Sequence, residues 1–158
     1  MWGYHGWGNY TAQLVKAVDA VELEQGFKPP VFVDVRIRRQ ARAAGFQGGA
    51  FQRLLGDTRY KWMEDLGNEN IITREEGIRI RRSEAASDLL DFAMTVAAQG
   101  RRLIFFCQCE YPCNCHRYVV GSLVLKYAQQ RKQPVQVVEW PGGNPKTVKV
   151  QVAEEVFR

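Results

Sequence analysis

Two short apolar segments constrain the fold of this chain more than any other feature. VFVDVR (Val31 to Arg36) begins with residues that are apolar without interruption, and RRLIFFC (101–107) is the clearest strand in the sequence. A strand that is apolar on both faces is typical of a parallel sheet covered by helices on each side. These two segments therefore predict the centre of a mostly parallel α/β sheet.

Segments with helical periodicity alternate with the predicted strands, beginning with a short strand near Trp2 to His5. The predicted helices are Tyr10 to Leu23, Ala50 to Leu55, Glu84 to Gln99 (with Ser83 as N-cap and Gly100 as its end) and Tyr118 to Gln130. Further predicted strands are Arg59 to Met63, PVQVVEW (134–140) and an edge strand or hairpin in the tail, 147–157. The alternation predicts a single Rossmann-like, three-layer α/β domain over residues 1–158, with helices on both faces.

The net charge predicts the class of partner, and the distribution of apolar residues predicts the cellular location. The chain has 158 residues and a formal charge of +5, which favours an anionic small molecule or a nucleic acid as partner. No apolar run approaches the roughly 20 residues that span a bilayer, and the N-terminus lacks a signal-peptide layout. We therefore expect no membrane association and a cytoplasmic location, and the sequence leaves the oligomeric state open.

All four cysteines fall within nine positions, from residue 107 to residue 115. A secreted disulfide scaffold would spread its cysteines through the chain, so this clustering indicates thiol chemistry or metal binding. The four candidate ligands of a zinc ion or an iron–sulfur cluster are Cys107, Cys109, Cys113 and Cys115. One residue between paired cysteines is tighter than the usual zinc spacing, and the cofactor stays undetermined.

Three groups of polar residues fall where predicted strands end. Tyr4 follows the first strand, Asp34 and Arg36 end the second, and the cysteine segment follows RRLIFFC. In open α/β sheets ligands bind beyond the carboxyl ends of the strands. Asp34 and Arg36 either form a structural ion pair or act as general base and substrate ligand, and Arg42 is a further candidate for the same pocket.

Cys115, His116 and Arg117 stand where the last helix begins. A helix N-terminus attracts anions and lowers thiol pKa values, so these residues predict an anion site with an activated thiol. The alternative is that His116 and Arg117 only cap and brace the loop. Cys109 and Cys115 are the candidate nucleophiles, and Glu110 is a second candidate acid–base residue. A standard phosphatase loop, which needs five residues between its Cys and its Arg, does not fit.

The order of several short motifs resembles the domain-of-unknown-function 488 family of bacteria and archaea. The motifs are Gly3-Tyr4, Asp34-Val35-Arg36 with Arg42 and Gly45-Phe46, Leu66-Gly67, Cys109-Glu110 and Cys115-His116-Arg117. The resemblance implies a Rossmann-like domain and supports the same site, without defining a reaction.

Three functional hypotheses follow. The leading one is an enzyme acting on a phosphate-bearing substrate, a nucleotide or nucleic acid. Arg36, Arg42 and Arg117 would hold the anion, while Asp34 and His116 would handle protons. The alternatives are a non-catalytic nucleic-acid-binding module and a zinc or iron–sulfur protein.

Overall fold

The computed structural model describes residues 1–5, 9–110 and 114–141, and these form an α/β fold around one parallel sheet. The sheet has the order β1-β4-β2-β3, with strands β1 (Trp2–Gly3), β2 (Lys28–Asp34), β3 (Tyr60–Trp62) and β4 (Arg101–Cys107). The described helices are α1 (Thr11–Glu24), α2 (Ala50–Leu55), α3 (Asn70–Thr73), α4 (Ala85–Ala98) and α5 (His116–Gln130), with 3-10 turns at Ala44–Phe46 and Glu64–Leu66. The predicted fold class is confirmed.

Both faces of the sheet are covered, which gives the predicted three layers. In β2, Phe32 packs in a core with residues of α1 and α2, whereas Val33 packs in a second core with residues of α4 and α5. β4 alternates in the same way, with Phe106 in the first core and Phe105 in the second. Because side chains alternate along a strand, consecutive residues of β2, and likewise of β4, pack against opposite helical layers.

Strand β2 begins earlier than predicted. It starts at Lys28, so it contains Pro29 and Pro30, which precede the predicted segment Val31 to Arg36. Its pairing with β4 shifts register between Lys28 and Val31, a position where prolines without an N–H are tolerated. The carbonyl oxygen of Pro29 accepts a hydrogen bond from Arg101, and that of Pro30 accepts one from Arg59.

Helix α4 lies within the predicted range, one residue shorter at each end, and lacks the predicted cap. Glu84, not Ser83, precedes the helix, its backbone is already helical, and no side chain caps it. Gly100 follows the helix with a φ of 75°, which a glycine adopts readily, so the predicted end is confirmed. Among the residues described, no helix is long and apolar enough to cross a membrane.

The sequence predicts a strand at 134–140. In the structure this segment lies beside the start of β1 but does not join the sheet. The main-chain nitrogen of Met1 donates to the Val138 carbonyl, and the Trp140 nitrogen donates to the Met1 carbonyl, each over 2.9 Å. These two bonds fix the segment against β1. The predicted tail strand, 147–157, lies outside the described residues, and the single-domain prediction for the whole chain stays a prediction.

The connections that follow the two central strands, β2 and β4, lie on opposite faces of the sheet. After β2 the chain continues to α2 in the layer that also contains α1, whereas after β4 it continues to α5 in the layer of α4. Adjacent strands whose connections diverge in this way open a crevice at their carboxyl ends, the usual ligand position in open α/β sheets. The loop that carries the cysteines follows β4 at this position in the fold.

We expect Gly67→Ala to destabilise the fold. A Cβ at Gly67 would lie 2.4 Å from the Ile37 main-chain nitrogen, so two loops could no longer pack together. The overpacking should lower the free energy of unfolding by about 1–3 kcal/mol in urea titrations. Gly49→Ala is the control, because its Cβ would meet only the flexible end of Arg53 at 3.1 Å. Equal stability of the two variants would contradict the packing argument.

Candidate functional site

Three sulfur atoms meet where β4 ends and α5 begins. Cys107 is the last residue of β4, Cys109 follows in the loop, and Cys115 is the N-cap of α5. Their Sγ atoms lie within 4.8 Å of one another, and those of Cys107 and Cys115 are 2.7 Å apart. We call Cys107, Cys109 and Cys115 the cysteine triad. The fourth predicted ligand, Cys113, lies outside the described residues.

The triad has one exposed member, Cys109, whereas Cys107 and Cys115 are buried. Hydrogen bonds from Cys107 and then from Cys115 hold the pKa of the Cys109 thiol well below its ordinary value, and the nearby His116 and Arg117 act in the same direction. Burial raises the pKa of Cys107 well above its ordinary value. The triad therefore favours an accessible Cys109 thiolate beside two protonated thiols.

The pKa of Cys115 reflects opposing interactions. Its hydrogen bond with Cys107 lowers the pKa, but the hydrogen bond to Cys109, burial and the Cys109 charge together raise it to about 11. The raised pKa favours the thiol form of Cys115 at neutral pH, and its predicted role as a nucleophile stays a prediction.

Arg117 holds the cysteine loop in place through its buried guanidinium. Its guanidinium donates to the main-chain oxygens of Cys109, over 2.6 Å, and Glu110, over 3.0 Å. It also contacts the Sγ of Cys107 at 3.3 Å and pairs with Glu139 at 2.9 Å, and it is fully buried. Sequence reasoning offered this bracing role as the alternative to substrate binding, and the geometry favours the brace.

The sequence analysis missed Glu139, the partner of Arg117. Its carboxylate is fully buried, and burial raises its pKa while the Arg117 charge opposes that rise. Glu139 is the one acidic residue in PVQVVEW. An acid inside an apolar segment signals a buried ion pair, and this signal could have identified it.

His116 faces two neighbours with its two ring nitrogens. Its Nε2 lies 2.8 Å from the Val35 carbonyl oxygen, and because that oxygen can only accept, Nε2 carries the proton. Its Nδ1 is then an acceptor, 3.7 Å from the Sγ of Cys115. Burial lowers the pKa of His116, so the ring is neutral at pH 7. Its Nδ1 therefore faces the Cys115 thiol, and its role in proton transfer stays a prediction.

Asp34 and Arg36 form a second, separate cluster. Arg36 donates to both carboxylate oxygens of Asp34, over 2.8 Å and 2.6 Å, and also to the hydroxyl of Tyr4 and the carbonyl of Phe46. Tyr60, which the sequence analysis did not single out, donates to Asp34 over 2.8 Å. All of these side chains are buried, so the geometry favours the structural ion pair among the two roles weighed for Asp34 and Arg36.

The two clusters lie on opposite faces of the sheet. Asp34 alternates with Val33 and so shares the face of Phe32, whereas Cys107 alternates with Phe106 and lies in the core of Phe105. The single pocket expected from the strand ends is therefore divided in two. Two hydrogen bonds to main-chain carbonyls join the halves, one from the His116 ring to Val35 and one from the Tyr4 main-chain nitrogen to Cys107, the latter over 3.0 Å.

Two predicted site residues contribute no described side-chain contact to either cluster. Arg42 is exposed and has no hydrogen bond or ion pair with another residue in the described part of the chain. Glu110 is half-buried and takes part through its main-chain oxygen, which accepts from Arg117. The roles predicted for both side chains stay predictions.

The residues that carried the family resemblance surround this edge of the sheet. A Cβ at Gly3 would lie 1.8 Å from the Cys109 carbonyl oxygen, and one at Gly67 would lie 2.4 Å from the Ile37 nitrogen. No family model matches the chain, and comparisons with curated proteins and with solved structures also give no match. Membership of the domain-of-unknown-function 488 family therefore stays a prediction.

We expect Asp34→Asn to cost about 3–5 kcal/mol of unfolding free energy, because it leaves the buried Arg36 charge uncompensated. Urea unfolding measures this loss. The matched control is Asp91→Asn, since Asp91 pairs with Arg131 at the surface with 61% of its side chain exposed, where such pairs contribute at most about 1 kcal/mol. A stable Asp34→Asn variant that lost only ligand binding or turnover would instead support the predicted catalytic role.

We expect Gly3→Ala to disturb the cysteine loop, because the new Cβ would overlap the Cys109 carbonyl and approach Arg117 to 2.9 Å. Alkylation mapped by mass spectrometry should then reach the buried Cys107 and Cys115, which stay protected in the parent protein. The Gly49→Ala control should keep the parent pattern. An unchanged pattern in Gly3→Ala would show that the loop does not depend on this close approach.

Proposed function

We propose that this protein is a cytoplasmic enzyme that uses the Cys109 thiolate as a nucleophile on a phosphate-bearing substrate, a nucleotide or nucleic acid. The observation that carries the proposal is the triad itself, in which one accessible sulfur lies beside two buried thiols. An accessible thiolate needs partners that stabilise its charge, and Cys107 and Cys115 are both within reach of its sulfur. A reducing compartment would keep all three as thiols.

The proposed chemistry divides the work among three residues. The Cys109 thiolate attacks an electrophilic atom of the substrate and forms a covalent bond as the leaving group departs. Cys115 supplies a proton to the leaving group and recovers one from the water that releases the product from Cys109. The neutral His116, whose Nδ1 lies 3.7 Å from the Cys115 sulfur, orients that thiol. The candidate base of the sequence analysis, Asp34, has no part in this route because it is buried on the other face.

Support for an anionic substrate comes from charge and not from a preformed phosphate cradle. Arg36 and Arg117 are used within the protein, so they act on a ligand only through their field. The formal charge is +5, and Arg38 and Arg42 are exposed in the loop that follows β2. A net positive surface raises the local concentration of anions.

A nucleic-acid-binding module is the second candidate, and one feature favours it. The Arg39 guanidinium lies 4.3 Å from the centroid of the Trp62 ring, and the indole nitrogen of Trp62 donates to the Arg36 carbonyl over 2.8 Å. The tryptophan is 37% exposed, and the adjacent Lys61 is exposed. A fixed aromatic ring among cations is a stacking platform for unpaired bases.

We expect Cys109→Ser to abolish selective alkylation by substoichiometric iodoacetamide. In a screen of nucleotides and phosphate esters it should also lower turnover by at least about 100-fold, with stability unchanged because the residue is exposed. Trp62→Ala is the control and should keep both properties. Full turnover in Cys109→Ser would exclude the nucleophile. Salt-sensitive RNA binding lost in Trp62→Ala, with no turnover by either protein, would favour the binding module.

A further inference from the structure

We infer that the cysteine triad binds a single thiophilic cation, with zinc(II) as the representative ion. The inference goes beyond the proposed function and rests on the placement of Cys107, Cys109 and Cys115 alone. It uses three sulfurs from the described residues, fewer than the four-cysteine site that the sequence spacing suggested.

The distances between the sulfurs suit one ion. A zinc–sulfur bond is about 2.3 Å, so two thiolates on a tetrahedral ion lie about 3.8 Å apart. All three Sγ atoms already lie within 4.8 Å of one another. Cys107 and Cys115, whose sulfurs are 2.7 Å apart, would lose the hydrogen bond between them and move apart by about 1 Å to bind the same ion.

The surroundings of the sulfurs provide a second, independent observation. The buried Arg117 directs a guanidinium N–H to Cys107 over 3.3 Å, and its main-chain N–H contacts Cys115 at 3.5 Å. Metal-bound thiolates are characteristically held by such outer hydrogen bonds, which orient the ligand and offset its charge. The Arg117 guanidinium also donates to the Cys109 carbonyl, so one residue contacts all three ligands, two through its side chain and Cys115 through its main-chain N–H.

The ligand set determines the class of ion. Three sulfurs select soft or borderline cations such as zinc(II), cadmium(II) or copper(I), whereas magnesium and calcium need oxygen ligands. Two of the ligands are buried and Cys109 is exposed, so the fourth position faces the side of the exposed cysteine. A solvent molecule or a small ligand would complete the coordination there.

Metal binding and nucleophilic reaction compete at Cys109, because coordination withdraws negative charge from the thiolate sulfur and lowers its nucleophilicity. A bound ion would hold the enzyme in an inactive form that a chelator reactivates. This competition gives a measurement on the unmodified protein, in which no substitution can disturb folding.

The first test titrates reduced, metal-free protein with cadmium(II) and follows the ultraviolet thiolate-to-metal absorption. We expect saturation at one ion per chain and competition by zinc(II). Zinc should also protect Cys109 from iodoacetamide, and chelator should restore the reaction. Absence of the absorption, or undiminished alkylation in saturating zinc, would overturn the inference. Alkylation that zinc fails to block would leave the proposed nucleophile intact, so the two proposals fail separately.

The second test compares serine variants of the intact chain. Cys109→Ser and Cys115→Ser should each weaken cadmium binding by more than the about 10- to 100-fold that loss of an outer partner costs. Cys113→Ser is the matched control and should bind within about threefold of the parent, a difference under about 0.7 kcal/mol. Loss of binding in Cys113→Ser would overturn the three-sulfur site, and so would parent-like binding in Cys109→Ser. Circular dichroism of each variant checks folding.

Discussion

The guanidinium of Arg117, buried beneath the loop that follows β4, ties together the parts of the chain that form the candidate site. It holds two main-chain oxygens of the loop, the sulfur of Cys107 and the carboxylate of Glu139. A buried charge is stable only while its partners stay in place, so these contacts depend on one another. Gly3 completes the arrangement, because any side chain there would occupy the space of the Cys109 carbonyl. The contacts of Arg117 therefore fix the conformation of the loop, and this conformation sets the positions of the cysteines.

The alternation of side chains along the central strands decides which residues can act together. Asp34 and Cys107 both end strands at the carboxyl edge, yet they belong to different layers. The ion pair of Asp34 and Arg36 stabilises the α1 and α2 side, and the cysteine triad lies on the α4 and α5 side. The side chains that reach the triad from α5 are therefore those of His116 and Arg117, while the ion pair stabilises the edge of the sheet on the other face.

Local patterns predicted much of this structure because their causes are local. Periodic apolar residues identified α1, α4 and α5, Gly100 identified the end of α4, and continuous apolar segments identified the buried strands β2 and β4. The predictions that differed depended on distant contacts. Whether 134–140 joins the sheet depends on its bonds with Met1, and whether Arg117 binds substrate or braces a loop depends on Glu139. Neither partner is near in sequence.

By itself the sequence determined the α/β class, the helices on both faces and the clustering of thiols after β4, because periodicity and spacing are properties of the chain. Only the tertiary structure decided that the predicted pocket is two clusters, that Arg36 pairs with Asp34 and Arg117 with Glu139, and that Cys109 is the exposed sulfur of the cysteine triad. Those outcomes depend on which face of the sheet each strand-end side chain occupies and on which buried charges are paired. A buried cation takes the partners that folding brings to it, and these lie on elements far apart in the chain.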